Sequence, residues 1–182
     1  MSTTSLTVWH YDTAMGASAG EIRLKDLQQQ GGVRVVDAVT VTWVPGAERP
    51  HVGHLLRQGP SAVAKGSALG ALVGTLFLAP VVGAAAGAGV AAVAHRLRDT
   101  GIDQAFLEEI TARLKPGTSA LLVLSADADL EVLRPFIERG LARGDVRLMH
   151  AQLSDDASVE LRRLLGQGPD DETSPEANSG SR

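Results

Sequence analysis

From Ala68 to Ala94 the chain carries no charged residue, and small residues recur there at a spacing of four. Gly66, Gly70 and Gly74 form one series; Gly83 and Gly87 form another, and Ala84, Ala88 and Ala92 continue the spacing. Residues four apart share one face of a helix. Small side chains on such a face let two backbones approach closely, the contact that apolar helices use with one another. Pro80 stands near the middle, just after Leu76, Phe77 and Leu78, where a proline breaks or kinks a helix. The stretch reads as two short helical arms rather than one long helix.

A hydropathy scan would take it for one membrane span, which needs about 20 apolar residues. The flanking sequence argues otherwise. Ser5 to Tyr11 reads as a β-strand. Ser18, three residues before Glu21, has the spacing of a capping box, so a helix is expected from about Ala19 to Gln30, stopped by Gly31 and Gly32. Val33 to Val44 reads as a second strand, with Val33, Val35, Val39, Val41 and Trp43 on one face by the period of two. His51 to Leu56 reads as a short return strand. Beyond the apolar stretch, Asp103 caps a helix bearing Phe106, Ile110 and Leu114, and Ser119 to Leu124 reads as a central strand. Asp127 opens a further helix, with Leu130, Leu133 and Ile137 apolar and a kink expected at Pro135. Val146 to Leu153 reads as a last strand, and residues 155–165 as a last helix.

Gly32 to Ala38 resembles Asp145 to Ala151, and each follows a strand and a helix. Two βαβ halves of this kind predict an α+β fold, a ferredoxin-like antiparallel sheet with its helices on one face. The expected organisation is a first half of the core over residues 1–59, an inserted Gly/Ala-rich helical hairpin over 60–98, a second half over 99–165, and a disordered acidic tail over 166–182. One sheet built from both halves forces the insertion to return to the side it left. Each arm is then roughly 20 Å long at 1.5 Å per residue, short of a hydrocarbon core of about 30 Å. Arg57 and Lys65 before it, and Arg96 and Arg98 after it, place basic residues at both ends, as expected when both lie on the cytoplasmic side. If the hairpin projects outward, few core contacts should cross its boundaries.

Three stretches carry a family likeness. They are Ala64-Lys65-Gly66-Ser67-Ala68-Leu69-Gly70-Ala71-Leu72-Val73-Gly74, then Arg98-Asp99-Thr100-Gly101-Ile102-Asp103, then Leu114-Lys115-Pro116-Gly117-Thr118-Ser119-Ala120-Leu121. Together they resemble the bacterial domain-of-unknown-function family 1269. The resemblance implies a predicted membrane protein with an inserted hairpin, and it implies no reaction and no catalytic residue.

Chemistry leaves little trace. There is no Cys, which removes disulfides and thiolate sites. The net charge is −4 and aromatics make up 3%, so no counterion-release surface or base-stacking platform for nucleic acid is expected. No phosphate loop is present, since Lys65-Gly66-Ser67 reverses the required order. His10 and His150 lie on strands that neighbour each other in a ferredoxin-like sheet, and His51 and His54 are three apart; Asp12 or Asp37 would be the carboxylate of a metal site. Scattered hydrogen-bonded histidines are the simpler reading, and no metal and no cofactor is expected. Asp127, Asp129, Glu131, Asp155 and Asp156 sit at expected helix starts, where acids complement the dipole. Met1 to Leu6 is no signal peptide, so the expected location is the cytoplasm or the cytoplasmic face of a membrane. The expected function is a non-catalytic structural or interaction protein whose hairpin enters a membrane, associates with itself as a homo-oligomer, or packs on its own sheet. The alternatives are a small-molecule-binding ferredoxin-like dimer with Trp9, Tyr11 and Trp43 lining its pocket and, further off, an α+β-barrel enzyme.

Overall fold

The computed structural model describes residues 4–55, 68–78, 94–95, 97, 100–126, 138, 144 and 146–154. The elements are β1 (Thr4–Tyr11), α1 (Gly16–Gln29), β2 (Arg34–Thr42), β3 (His51–His54), α2 (Ala68–Val73), α3 (Gln104–Arg113), β4 (Ser119–Ala126) and β5 (Val146–Gln152). α2 runs on into a π-helical turn over Gly74–Leu78. The fold is α+β. One five-stranded sheet has the order β3-β2-β4-β1-β5, and every pairing in it is antiparallel. β1 and β2 both oppose β4, so they run in the same direction on either side of it, joined by α1. β4 is buried along its whole length, as the apolar run from Ala120 to Leu124 predicts for a central strand, and its two serines, Ser119 and Ser125, are buried with it.

The described helices cover both faces of the sheet, not one. α1 seals one face: Ala17, Leu24 and Leu27 meet Tyr11, Ala38, Leu121, Val123 and Val146. On the other, α2 and α3 cover Leu6, Val8, Val39, Val41, Ala120, Leu122, Leu124 and Met149. The expected helices over 127–140 and 155–165, the Pro135 kink and the acidic tail fall outside the described residues.

β2 does not hold one face throughout. Arg34 pairs with Ala126 and Val35 with Ser125, but Asp37 pairs with Leu124, so Val36 is an extra residue in a β-bulge. A side-chain period of two cannot survive an odd insertion. Val33 and Val35 therefore join the α1 face, while Val39, Val41 and Trp43 join the α2–α3 face.

The start of α1 also departs from expectation. The helix begins at Gly16 with Met15 at the cap position and no side-chain cap, so Ser18 lies inside it and forms no capping box. The cap comes from a distant strand. Ser119, fully buried on β4, accepts the Ala17 N–H at 2.9 Å and donates to the Thr13 carbonyl at 2.6 Å. Gly16 and Gly20 then bring the helix against Tyr11: a Cβ at Gly16 would collide with the Tyr11 Cβ and ring, and one at Gly20 with its hydroxyl. The helix ends as expected. Gly31 takes φ +73°, Gly31 N–H reaches the Gln28 carbonyl, and Gly32 N–H reaches that of Leu27. α3 likewise follows its sequence, with the Asp103 carboxylate accepting the Phe106 N–H at 2.7 Å and Leu107 and Ile110 buried.

Candidate functional site

The bulge in β2 sets up the insertion's first contact. By flipping the strand's parity it turns Asp37 toward the α2–α3 face, where its carboxylate accepts the Leu69 N–H at 3.1 Å. That satisfies one of the orphan donors in the first turn of α2. Leu69, Leu72 and Val73 are fully buried in the cluster with Val39, Val41 and Leu122. Leu76 and Phe77 in the π-helical turn pack partly against the same cluster. Ala94 and Leu97, near the far end of the uncharged run, are buried in it too. Residues inside both ends of the expected insertion, 60–98, are therefore part of the core.

The small-residue series divides where it can be followed. A Cβ at Gly70 would collide with the His54 imidazole on β3, so this glycine faces the chain's own sheet. A Cβ at Gly74 would meet no described residue within 4 Å. Gly66, Pro80, Gly83, Ala84, Gly87, Ala88 and Ala92, and the flanking Arg57, Lys65, Arg96 and Arg98, lie outside the described residues. Among the described residues no helix is long and apolar enough to cross a membrane.

The two stretches after the insertion that carry the family likeness turn out to be joints. Gly101 adopts φ +91° beside the Gln152 carbonyl, where a Cβ would sit only 2.6 Å from that oxygen. Ile102 is fully buried and Asp103 caps α3. Further on, Gly117 at φ +93° donates to the Trp43 carbonyl at 2.7 Å. The Thr118 hydroxyl closes the turn onto Lys115, and Ser119 caps α1. In the described part of these stretches the two glycines make turns, Asp103 and Ser119 cap helices, and Ile102 and Leu114 are buried.

The histidines do not converge. His10 pairs with Arg147 across β1 and β5, whereas His150 pairs with Thr7, and its Nδ1 lies 3.2 Å from the Thr7 hydroxyl. Residues 7 and 10 differ by an odd number, so these two histidines point to opposite faces. His51 and His54 are split in the same way, opposite Thr42 and Val39. Among the described residues no three His, Asp or Glu side chains could hold a metal ion. The aromatic trio is likewise divided: Trp9 and Tyr11 lie on the α1 face and Trp43 on the other, with Trp43 Nε1 donating to the Ala47 carbonyl at 2.9 Å.

His10 stands apart from the other histidines. It is only 4% exposed, and its Nε2 lies 3.0 Å from the Arg113 carbonyl at the end of α3. A carbonyl only accepts, so Nε2 carries the proton and Nδ1 is a bare lone pair. That Nδ1 is buried with no hydrogen-bond partner and lies 3.8 Å from the Asp12 carboxylate. Burial pushes the imidazole below its ordinary pKa. The Arg113 carbonyl and the Asp12 charge oppose this, while the Arg113 and Arg147 charges add to it. The sequence offered the residue but not its burial, which depends on α3 closing over the end of β1.

A family model described as "Protein of unknown function (DUF1269)" matches residues 63–166. The matched span takes in the uncharged run, α3, β4 and β5 and begins after β3. Neither the curated proteins nor the solved structures give a match.

Proposed function

Since the chain belongs to the DUF1269 family, whose description names no reaction, we propose a non-catalytic interaction protein whose uncharged insertion is its contact element, with one leaflet of a membrane as the partner. One observation carries this reading. The run from Ala68 to Ala94 holds no charge, yet residues near both its ends are buried in one cluster on one face of one sheet. A segment tethered that way leaves and re-enters on the same side, which suits a helical hairpin dipping into a bilayer. Basic residues beyond both ends, Arg57 and Lys65 and then Arg96 and Arg98, suit a cytoplasmic leaflet. The strand order β2-β4-β1-β5, with β3 as an added edge, supports reading the core as two interleaved βαβ halves of ferredoxin-like kind.

A second reading is self-association through the small-residue series, favoured by Gly74, whose face is open among the described residues. Flotation of the full chain with vesicles of phosphatidylcholine and phosphatidylserine, paired with sizing with and without detergent, tests both. The membrane reading expects the protein to float with the vesicles. A protein that stays at the bottom of the gradient and sizes as a detergent-insensitive oligomer overturns it in favour of self-association. A monomer that ignores vesicles overturns both.

A further inference from the structure

The His10 corner is a two-ligand site whose two halves come from the end of β1. His10 Nδ1 is a buried, unpartnered lone pair, and the Asp12 carboxylate stands 3.8 Å away with 64% of its side chain exposed. On the far side of the ring, Nε2–H is committed to the carbonyl of Arg113, the last residue of α3. Among the described residues the cross-strand neighbours of His10 are uncharged Ala120 on β4 and cationic Arg147 on β5. A metal ion would demand four or more ligands and would face the Arg113 and Arg147 charges. A single proton needs only a base and an acceptor, and both are in place.

We propose that His10 and Asp12 form a proton-driven clasp, in which a proton taken up at His10 Nδ1 draws the Asp12 carboxylate in from solvent to accept it. The ring then bridges the Asp12 carboxylate to the C-terminal carbonyl of α3, with a donor on each nitrogen. The step adds one proton from solvent and keeps the bond from Nε2–H to the Arg113 carbonyl that is already in place. Asp12 lies in the connection that leads into α1, so protonation ties the entry of α1 to the exit of α3 across the end of the sheet. The resting form is the open one, because burial disfavours the charged ring.

Two-dimensional NMR of the histidine ring and aspartate carboxyl signals against pH, on the full chain, tests the clasp. His10 is expected to titrate at lower pH than the same histidine in the urea-unfolded chain, with the Asp12 carboxyl signal moving in step with the ring. In Asp12→Asn, the His10 midpoint is expected to fall further, because the variant replaces a charged acceptor with a neutral one. In Arg147→Gln it is expected to rise, because a repelling charge is gone. Asp12 and Arg147 are both exposed, so both variants should fold. An Asp12 signal that ignores the His10 titration, or a midpoint unmoved by Asp12→Asn, overturns the proposal.

Discussion

Truncating Leu72 asks whether the insertion belongs to the core or merely leans on it. The side chain is fully buried in α2, in one cluster with Val39, Val41 and Leu122. Leu72→Ala removes three carbons and leaves a cavity that the rigid sheet cannot fill, a loss of about 2–5 kcal/mol when the site is part of the cooperative unit. For a chain of this length each kcal/mol moves Tm by about 2–4 °C, so a fall of roughly 5–15 °C is expected. Leu122→Ala, on the central strand under the same cluster, is the yardstick. Urea melts followed by far-ultraviolet circular dichroism and by tryptophan fluorescence, to which Trp43 against that cluster and Trp9 on the other face both contribute, should show losses of similar size for the two variants. If α2 undocks before the sheet melts, the cost of Leu72→Ala is capped at its docking free energy. A loss below about 0.5 kcal/mol for Leu72→Ala, beside a full loss for Leu122→Ala, would refute the reasoning.

Other consequences follow from the same contacts. Replacing residues 61–98 with a Gly/Ser linker removes Leu69, Leu72, Val73, Ala94 and Leu97 from the core, so the shortened chain should aggregate or melt far lower by light scattering and circular dichroism. Gly16→Ala should cost about 1–3 kcal/mol in urea melts, because its Cβ meets the root of the Tyr11 side chain, which cannot swing away. Gly74→Leu should reduce vesicle flotation or oligomer size, since a Cβ at Gly74 meets none of the described residues and the clash must come from beyond them. Stability should also depend on acid through His10, whose folded pKa lies below its ordinary 6.5. The unfolded chain then takes the proton first, so His10's contribution is complete above about pH 6.5 and is lost as pH falls through the folded value. His10→Gln keeps a donor for the Arg113 carbonyl and should flatten that part of the pH–stability curve.

Much of the fold was legible because it rests on local signals. The apolar run of β4, the glycines after α1 and the Asp103 cap each declare an element within a few residues. The failures share one cause, which is that a distant partner decides. Ser18 and Glu21 offer a plausible box, but Ser119, a hundred residues away, supplies the bond to Ala17 and lets the helix start earlier. Nothing in Arg34-Val35-Val36-Asp37 announces a bulge; it is fixed by the register that β2 must keep with β4. Facing is likewise a matter of parity: the odd steps from His51 to His54, and from His10 to Thr7, the partner of His150, put the members of each pair on opposite faces.

The uncharged run was legible as helix where the structure describes it, over residues 68–78, but its packing on the sheet was one reading among three, because the sequence signal is the same in each. A leucine every three or four residues faces apolar surroundings whether those are lipid or a valine-rich sheet. Topology then limits the choice. β1 and β2 precede the run, β4 and β5 follow it, and β4 lies between β1 and β2. A single membrane crossing between Val73 and Ala94 would put β4 on the opposite side from both its neighbours. Leu72 and Leu97 are both buried in one cluster on one face of that sheet, so the two ends of the run are held on the same side of it.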